Sequence, residues 1–243
     1  MASKSLIPAI DIIIPVFNDG ENILSVIKAL NTQISSPFQI LICYDFDEDT
    51  TLEALQKNGF INENVVLVKN VYSGVHGAVR TGFEVSKANA VITYMADDDY
   101  NAGIIDQMVD FYKGGSELVV PSRFINGGVF KGCRWFKKLL VTAVSWSMHA
   151  FAGIPVHDST NGFRLFSRKL LDKVKLESRD GFTYSIELLV KCHRLGWKMT
   201  ELPAKWYERK YGKSRFKIFQ WAIAYLRWYF YPYETTYLRR NLP

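Results

Sequence analysis

The sequence predicts an α/β fold, a three-layer αβα sandwich around a mostly parallel central sheet, and three observations carry that prediction. Strand and helix signals alternate from the first apolar run onward. The strand candidates are nearly continuous apolar runs, as expected of strands covered on both faces. The fourth of them ends in three aspartates, Asp97, Asp98 and Asp99, placing charge where a buried strand runs out.

Ile10 to Val16 reads as the first strand, and Glu21 to Leu30 as a helix, with Ile23, Ile27 and Leu30 at helical spacing. Gln39 to Tyr44 is the second strand, followed by a helix from about Thr50, where Thr50 and Glu53 have the spacing of a capping box. Val65 to Val68 is the third strand, Val75 to Ser86 the next helix, and Ala90 to Met95 the fourth strand. This order is that of parallel strands joined by crossover helices. Leu118 to Val120 reads as a fifth strand, Asp158 to Arg164 as a polar turn, and Tyr184 to Leu195 as a helix carrying Glu187.

With 243 residues, 48% of them hydrophobic, the chain can bury a substantial core. Cys43, Cys133 and Cys192 are odd in number and far apart, which suggests neither a disulfide framework nor a zinc site and fits a reducing, cytosolic setting. The four histidines form no HExxH motif. The apolar run Leu6 to Val16 is broken by Asp11 and lacks a small-residue cleavage pattern, so no signal peptide is expected. The longest uncharged stretch, Leu139 to His157, carries Gly153, Pro155 and two histidines, and is expected to be a buried or interfacial helix rather than a bilayer span. The net charge of +6 is local: nine Lys and Arg against two Glu lie between Lys205 and Arg240. An anionic surface or ligand near the C-terminus is the expected partner.

Alternate carboxylates such as Asp97 and Asp99 can converge on one hard cation, Mg²⁺ or Mn²⁺, which take oxygen ligands and leave positions for substrate phosphates. The competing reading is that Asp98 or Asp99 caps the helix that starts near Gly103. Asp45, Asp47 and Asp49 are spaced like the start of an EF-hand loop, but Thr50 and Gln56 stand where glycine and glutamate are needed. What remains is a carboxylate-rich loop on the same sheet edge as Asp97. Neither GxGxxG nor GxxxxGK[ST] occurs.

The ensemble resembles the family 2 inverting glycosyltransferases of GT-A (Rossmann-like) fold, and within them the dolichol-phosphate mannosyltransferase-like branch. The resemblance runs from about Ile10 to Tyr231. It rests on Ile13 to Asn18, Asp45, Asn70 with Gly74, Gly77, Ala78 and Gly82, Asp97 to Asp99, Ser122-Arg123, Asp158 with Asn161-Gly162-Phe163, Glu187, and Arg209 to Ser214.

The resemblance implies that Asp97 and Asp99 hold the divalent ion on a nucleotide-sugar diphosphate, with Asn101 as a further ligand. It implies donor contacts from Pro15, Phe17, Asn18, Asp45, Gly77, Arg80 and Asp98, and closure of Arg209 and Ser214 over the diphosphate. Arg123, Lys137 and Lys138 correspond to positions that receive a lipid phosphate. The implied catalytic set is Asp99, Arg209 and Asp158, the last as base if the acceptor is a sugar hydroxyl in surface-polysaccharide synthesis; a phosphate acceptor requires none. Two departures stand out: Tyr44 where the family commonly has the first of two aspartates, and Arg215 in place of a lysine.

The expected organisation is a transferase domain over residues 1–214 and a basic, aromatic segment over 215–243 that lies on the cytoplasmic membrane face. In that segment Phe219, Ile223, Leu226 and Phe230 form one helical stripe, with Trp221, Tyr225 and Trp228 beside it. The expected partners are a nucleotide-sugar donor, a polyprenyl phosphate acceptor and an anionic membrane surface, with room for a membrane-protein partner or a second copy of the chain. A nucleic-acid-binding reading of the basic tail leaves the three aspartates unused.

Overall fold

The structure, a computed structural model, describes residues 10–208 and 218–238, with the side chains of 10–208 and 223–234. Its centre is a seven-stranded sheet. Strands β1 (Ile10–Pro15), β2 (Phe38–Tyr44), β3 (Val65–Lys69), β4 (Ala90–Thr93), β5 (Leu118–Ser122), β7 (Arg164–Ser167) and β8 (Met199–Pro203) stand in the order β3-β2-β1-β4-β7-β5-β8. Every pairing is parallel except those of β7, which runs antiparallel to both β4 and β5. A small parallel sheet joins β6 (Val129–Lys131) to β9 (Lys205–Tyr207).

The period-two alternation of β1 divides the core. Ile12 and Ile14 pack under α1 (Gly20–Gln33) and α4 (Ile105–Lys113), with Ile23, Ile27 and Met108. Ile13 faces the other layer, with Val79 of α3 (Gly74–Val85), Leu188 of α7 (Thr183–Arg194) and Trp228 of α8 (Ile218–Leu238). Close approach of α3 to the sheet requires a glycine: a Cβ on Gly82 would lie 2.7 Å from the Ile13 side chain.

Three expectations change. Helix α2 (Thr50–Lys57) is capped by Asp49, whose carboxylate accepts from Thr51 N–H at 2.8 Å, while Glu53 pairs with Lys57 one turn on, so the Thr50/Glu53 box does not form. Helix α5 (Trp135–Ala152), for which a buried and an interfacial position were both open, buries only Ser145, Met148 and Ala152, which sets the buried alternative aside. Trp228, expected beside the exposed stripe of α8, is instead buried against α7, with Lys191 Nζ 5.0 Å from its ring centroid. Arg209, Ser214 and the rest of the 209–217 loop lie outside the described residues, as do the side chains of Phe219 and Trp221.

Candidate active site

The acidic loop leaves the end of β4 beside the end of β1, with Tyr94 N–H still donating to Ile13 O at 2.8 Å. Asp98 organises it from within. Its buried carboxylate accepts from Asn101 N–H at 3.0 Å, from Asn101 Nδ2 at 2.7 Å and from Tyr100 N–H at 3.3 Å. Burial raises the Asp98 carboxyl to about 6 against the opposing pull of those donors. Asp97 and Asp99, on either side, are partly exposed, so alternation along the loop separates one fastening carboxylate from two accessible ones.

Asn101, expected as a further ligand, has its amide engaged within the protein. Its amide Oδ1 accepts from Lys205 N–H at 3.0 Å and its Nδ2 donates to Lys205 O at 2.8 Å, tying the acidic loop to β9. Among the described residues no three His, Cys, Asp or Glu side chains converge. Two carboxylates completed by substrate phosphates is a common arrangement for Mg²⁺ and Mn²⁺, and the all-oxygen donor set of Asp97 and Asp99 fits such an ion.

Beyond the ends of β1 and β2 lies a second group. Asp45 accepts from Asn70 Nδ2 at 2.6 Å and from Gly74 N–H at 3.0 Å, which fixes the start of α3 against the loop after β2. Phe17 meets Phe46 edge to face, ring centroids 5.2 Å apart, beside the Pro15 end of β1. Asn18 takes a positive φ of 54°, and its Oδ1 accepts from Thr50 N–H at 3.1 Å, so its side chain caps α2 rather than reaching toward a donor. Gly77 is a packing residue, since a Cβ there would lie 2.7 Å from that of Tyr72. Arg80, expected at the donor, pairs with Glu84 at 3.0 Å, lies over the Tyr72 ring and borders a separate cavity with Phe83, Lys87 and Arg168.

Two residues from Gly74, the buried His76 has Nε2 2.8 Å from Ser178 Oγ. Desolvation lowers its imidazole to about 4. Because this folded-state value lies below the ordinary 6.5, the neutral ring's contribution is complete above that pH and is lost as pH falls toward 4. Denaturant titrations of the wild type and His76→Gln between pH 7 and 4 should diverge, the wild type losing on the order of 2 to 3 kcal/mol more. Parallel pH profiles would refute a neutral buried ring.

The third group centres on Arg123, just after β5. Its Nε and Nη2 donate to Asp158 at 2.7 and 2.8 Å, its backbone N–H adds a bond of 3.0 Å, and Nη2 also reaches Thr160 Oγ1 at 2.7 Å. The guanidinium lies 4.7 Å from the ring centroid of Phe130. Asp158 is fully buried and accepts further from Thr160 and Asn161 N–H. Burial alone would raise its carboxyl, but the Arg123 charge and hydrogen bonds outweigh it and hold the group below the usual carboxylate range. A carboxylate engaged by so many donors positions Arg123; it is not placed as a proton acceptor. Lys137 and Lys138 follow on the first turn of α5, Lys137 with Nζ 5.7 Å from the Trp206 ring centroid and Lys138 exposed.

A cleft of about 390 Å³ joins the acidic loop to the Arg123 group. Asp97, Arg123 and Lys137 line it along with apolar groups from α5, α7 and α8, including Leu140, Val144, Ile186 and Leu226. The sequence reading missed this apolar wall, and missed Trp206 and Tyr229 within it; the excess of aromatics near the C-terminus was the available signal.

A profile described as "Glycosyl transferase family 2" matches residues 11–175, more than half of the chain and including Asp45, Asp97 to Asp99 and Asp158. The chain belongs to this family. Curated relatives of this glycosyltransferase include polyprenol monophosphomannose synthase of Mycolicibacterium smegmatis, 24% identical over 229 residues, covering 87% of this chain and 86% of that protein. They also include dolichol-phosphate mannosyltransferase of Pyrococcus furiosus, 24% identical over 211 residues, covering 86% of this chain and 59% of that longer protein. Among solved structures, glucosyl-3-phosphoglycerate synthase of Mycobacterium tuberculosis, in complex with Mn²⁺, UDP and glucosyl-3-phosphoglycerate, superposes with a TM-score of 0.71 at 15% identity, covering 93% of this chain and 80% of that one. That likeness shows the GT-A fold; the neighbour itself has been crystallised with Mn²⁺ and with Mg²⁺.

Proposed function

We propose that this chain transfers a single sugar, with inversion, from a nucleotide-diphosphate sugar to a polyprenyl phosphate at the cytoplasmic membrane face. The observation that carries this reading is the cleft: cationic side chains and an acidic loop share one space with an apolar wall, which suits a molecule with a phosphate head and a hydrocarbon tail. The printed names of the two curated relatives support the same acceptor class.

In this reading Asp97 and Asp99 hold a Mg²⁺ or Mn²⁺ ion, which when bound neutralises charge on the departing diphosphate. Asp98 and Asn101 hold the loop that presents them, by the bonds to each other and to Lys205. Asp45 and Phe17 border the nucleoside. Arg123, oriented by Asp158, and Lys137 with Lys138 receive the acceptor phosphate, whose anionic oxygen attacks the anomeric carbon. The bond from that carbon to the diphosphate oxygen breaks, and its electron pair leaves with the nucleoside diphosphate. Arg209 and Ser214 are assigned to the diphosphate on the resemblance alone. The hydroxyl-acceptor alternative loses support, because the carboxylate it needs as a base, Asp158, is spent on Arg123.

The test is a panel of nucleotide sugars scored by thermal shift with and without Mn²⁺, followed by transfer to a short-chain prenyl phosphate. At a donor concentration 100 times Kd the folded state gains about 2.7 kcal/mol, which is a shift of roughly 5 to 10 °C for a chain of this size. Metal-dependent stabilisation by one donor class and labelling of the prenyl phosphate are expected. Efficient transfer to a free sugar, with none to prenyl phosphate, would overturn the assignment.

A further inference from the structure

We infer that His157 and Glu201 are positioning residues for the acceptor phosphate: they clamp the segment that carries Asp158 to the strand beside β5, and so fix where the Arg123 guanidinium sits. Arg123 lines the cleft, and neither member of the clamp does. Glu201 stands on β8 opposite Val120 of β5, and two residues on Pro203 stands opposite Ser122, the residue before Arg123. The Glu201 carboxylate holds His157 with both oxygens. Oε2 accepts from the His157 backbone N–H at 2.9 Å, and Oε1 lies 2.5 Å from ring Nδ1. The next residue is Asp158, whose carboxylate accepts from Arg123 Nε, Nη2 and N–H. One side chain therefore sets the spacing between the backbone that carries the guanidinium and the backbone that carries its counter-charge.

A second tie runs from the same segment to α5. His149 Nδ1 is 2.8 Å from Ile154 O, the His149 ring stacks on that of His157 with centroids 4.0 Å apart, and Ser159 N–H donates to Ser145 Oγ at 3.3 Å. A carbonyl and a carboxylate only accept, so each ring carries a proton on Nδ1 and is oriented by donating it. The Glu201 side chain is only 14% exposed, which sets this clamp apart from a solvated surface pair. What it supports is sensitive to angle. The Arg123–Asp158 pair is bidentate, so its two parallel bonds fix direction as well as distance. A guanidinium that pivots with a loosened Asp158 keeps its charge but loses its aim at the cleft, and a misplacement of about 1 Å caused far from the chemistry can cost about 10²-fold in rate. The clamp's role in catalysis rests on the phosphate-acceptor reading above.

The test measures acceptor KM, donor KM and kcat on a short-chain prenyl phosphate for the full chain and its Glu201→Ala, Glu201→Gln and His157→Ala variants. Both alanine variants are expected to raise the acceptor KM about tenfold, the effect of losing one charge-assisted hydrogen bond, with donor KM unchanged and kcat within about twofold. Glu201→Gln, whose amide oxygen can still accept from the His157 N–H, should recover part of the loss, and it carries the comparison with His157→Ala if alanine at position 201 does not fold. Adding Glu201→Ala to Arg123→Ala should raise the acceptor KM no further, because the clamp reaches the acceptor only through that guanidinium. A clamp that serves folding alone would lower Tm and leave the acceptor KM in place. That outcome overturns the proposal, as does an additive effect of the two changes on acceptor KM. The two readings also fail separately. If the wild type labels no prenyl phosphate, the acceptor assignment falls and the clamp is scored by thermal melts: the coupling between Arg123→Ala and Asp158→Asn should shrink in the Glu201→Ala background, and an unchanged coupling overturns it.

Discussion

Replacing Asp97 or Asp99 with alanine is expected to lower metal-dependent turnover by about 10²- to 10³-fold, the range seen when one group stabilising transition-state charge is removed, while leaving the melting temperature close to that of the wild type. Both side chains are partly exposed at the end of a buried strand, so neither contributes much to packing. The adjacent Asp98 should behave in the opposite way. Its buried carboxylate accepts three hydrogen bonds that shape the loop, and Asp98→Ala strands their donors, at about 1 to 3 kcal/mol of stability per unsatisfied group. Mn²⁺ titration of turnover beside thermal melts of the three variants separates the roles. Wild-type turnover in either Asp97→Ala or Asp99→Ala would remove the ion from the site.

The division among these three neighbours shows where the sequence was informative. Alternation alone paired Asp97 with Asp99, whereas the competing helix cap does not form: Asp98 binds the N–H groups of Tyr100 and Asn101 within the loop, and no side chain caps the helical turn that starts at Ala102. Strands β1 to β4 were legible for the same reason, because a short apolar run between turn residues admits few other structures. Strand β7 was not. It opens on Arg164, a charge that argues for solvent, yet the side chain is fully buried with its guanidinium satisfied by the carbonyls of Asp158, Asn161 and Ser185. Those acceptors come from a loop and from a helix 21 residues away, and no local pattern announces them. The long-range ties made by the amides of Asn18 and Asn101, polar residues near the site, were hidden on the same ground. Helix α5 marks a different limit. From Leu139 onward its sequence is uncharged, which fits a buried helix as well as an interfacial one, and only the packing shows that Trp135 and Leu139 face outward.

Asp158→Ala is expected to be the most destabilising single change in the site, by about 3 to 5 kcal/mol, because it leaves the largely buried Arg123 guanidinium without its counter-charge. For a chain of this size that corresponds to a fall in Tm of roughly 10 °C. The folded-state carboxyl of Asp158 lies below its ordinary value of 3.8. The pair's contribution is therefore complete above about pH 4 and declines as pH falls below it, so acid unfolding of the wild type should steepen there in a way that Asp158→Asn does not. Transfer kinetics distinguish positioning from proton abstraction. If Asp158 orients Arg123 for an anionic acceptor, Asp158→Asn should raise the acceptor KM more than it lowers kcat, Arg123→Ala should do the same, and the double variant should be no worse than Arg123→Ala, since both changes act through one guanidinium. If Asp158 were the base, Asp158→Asn would lower kcat by about 10²- to 10⁴-fold with KM unchanged, and Arg123→Ala would not reproduce it.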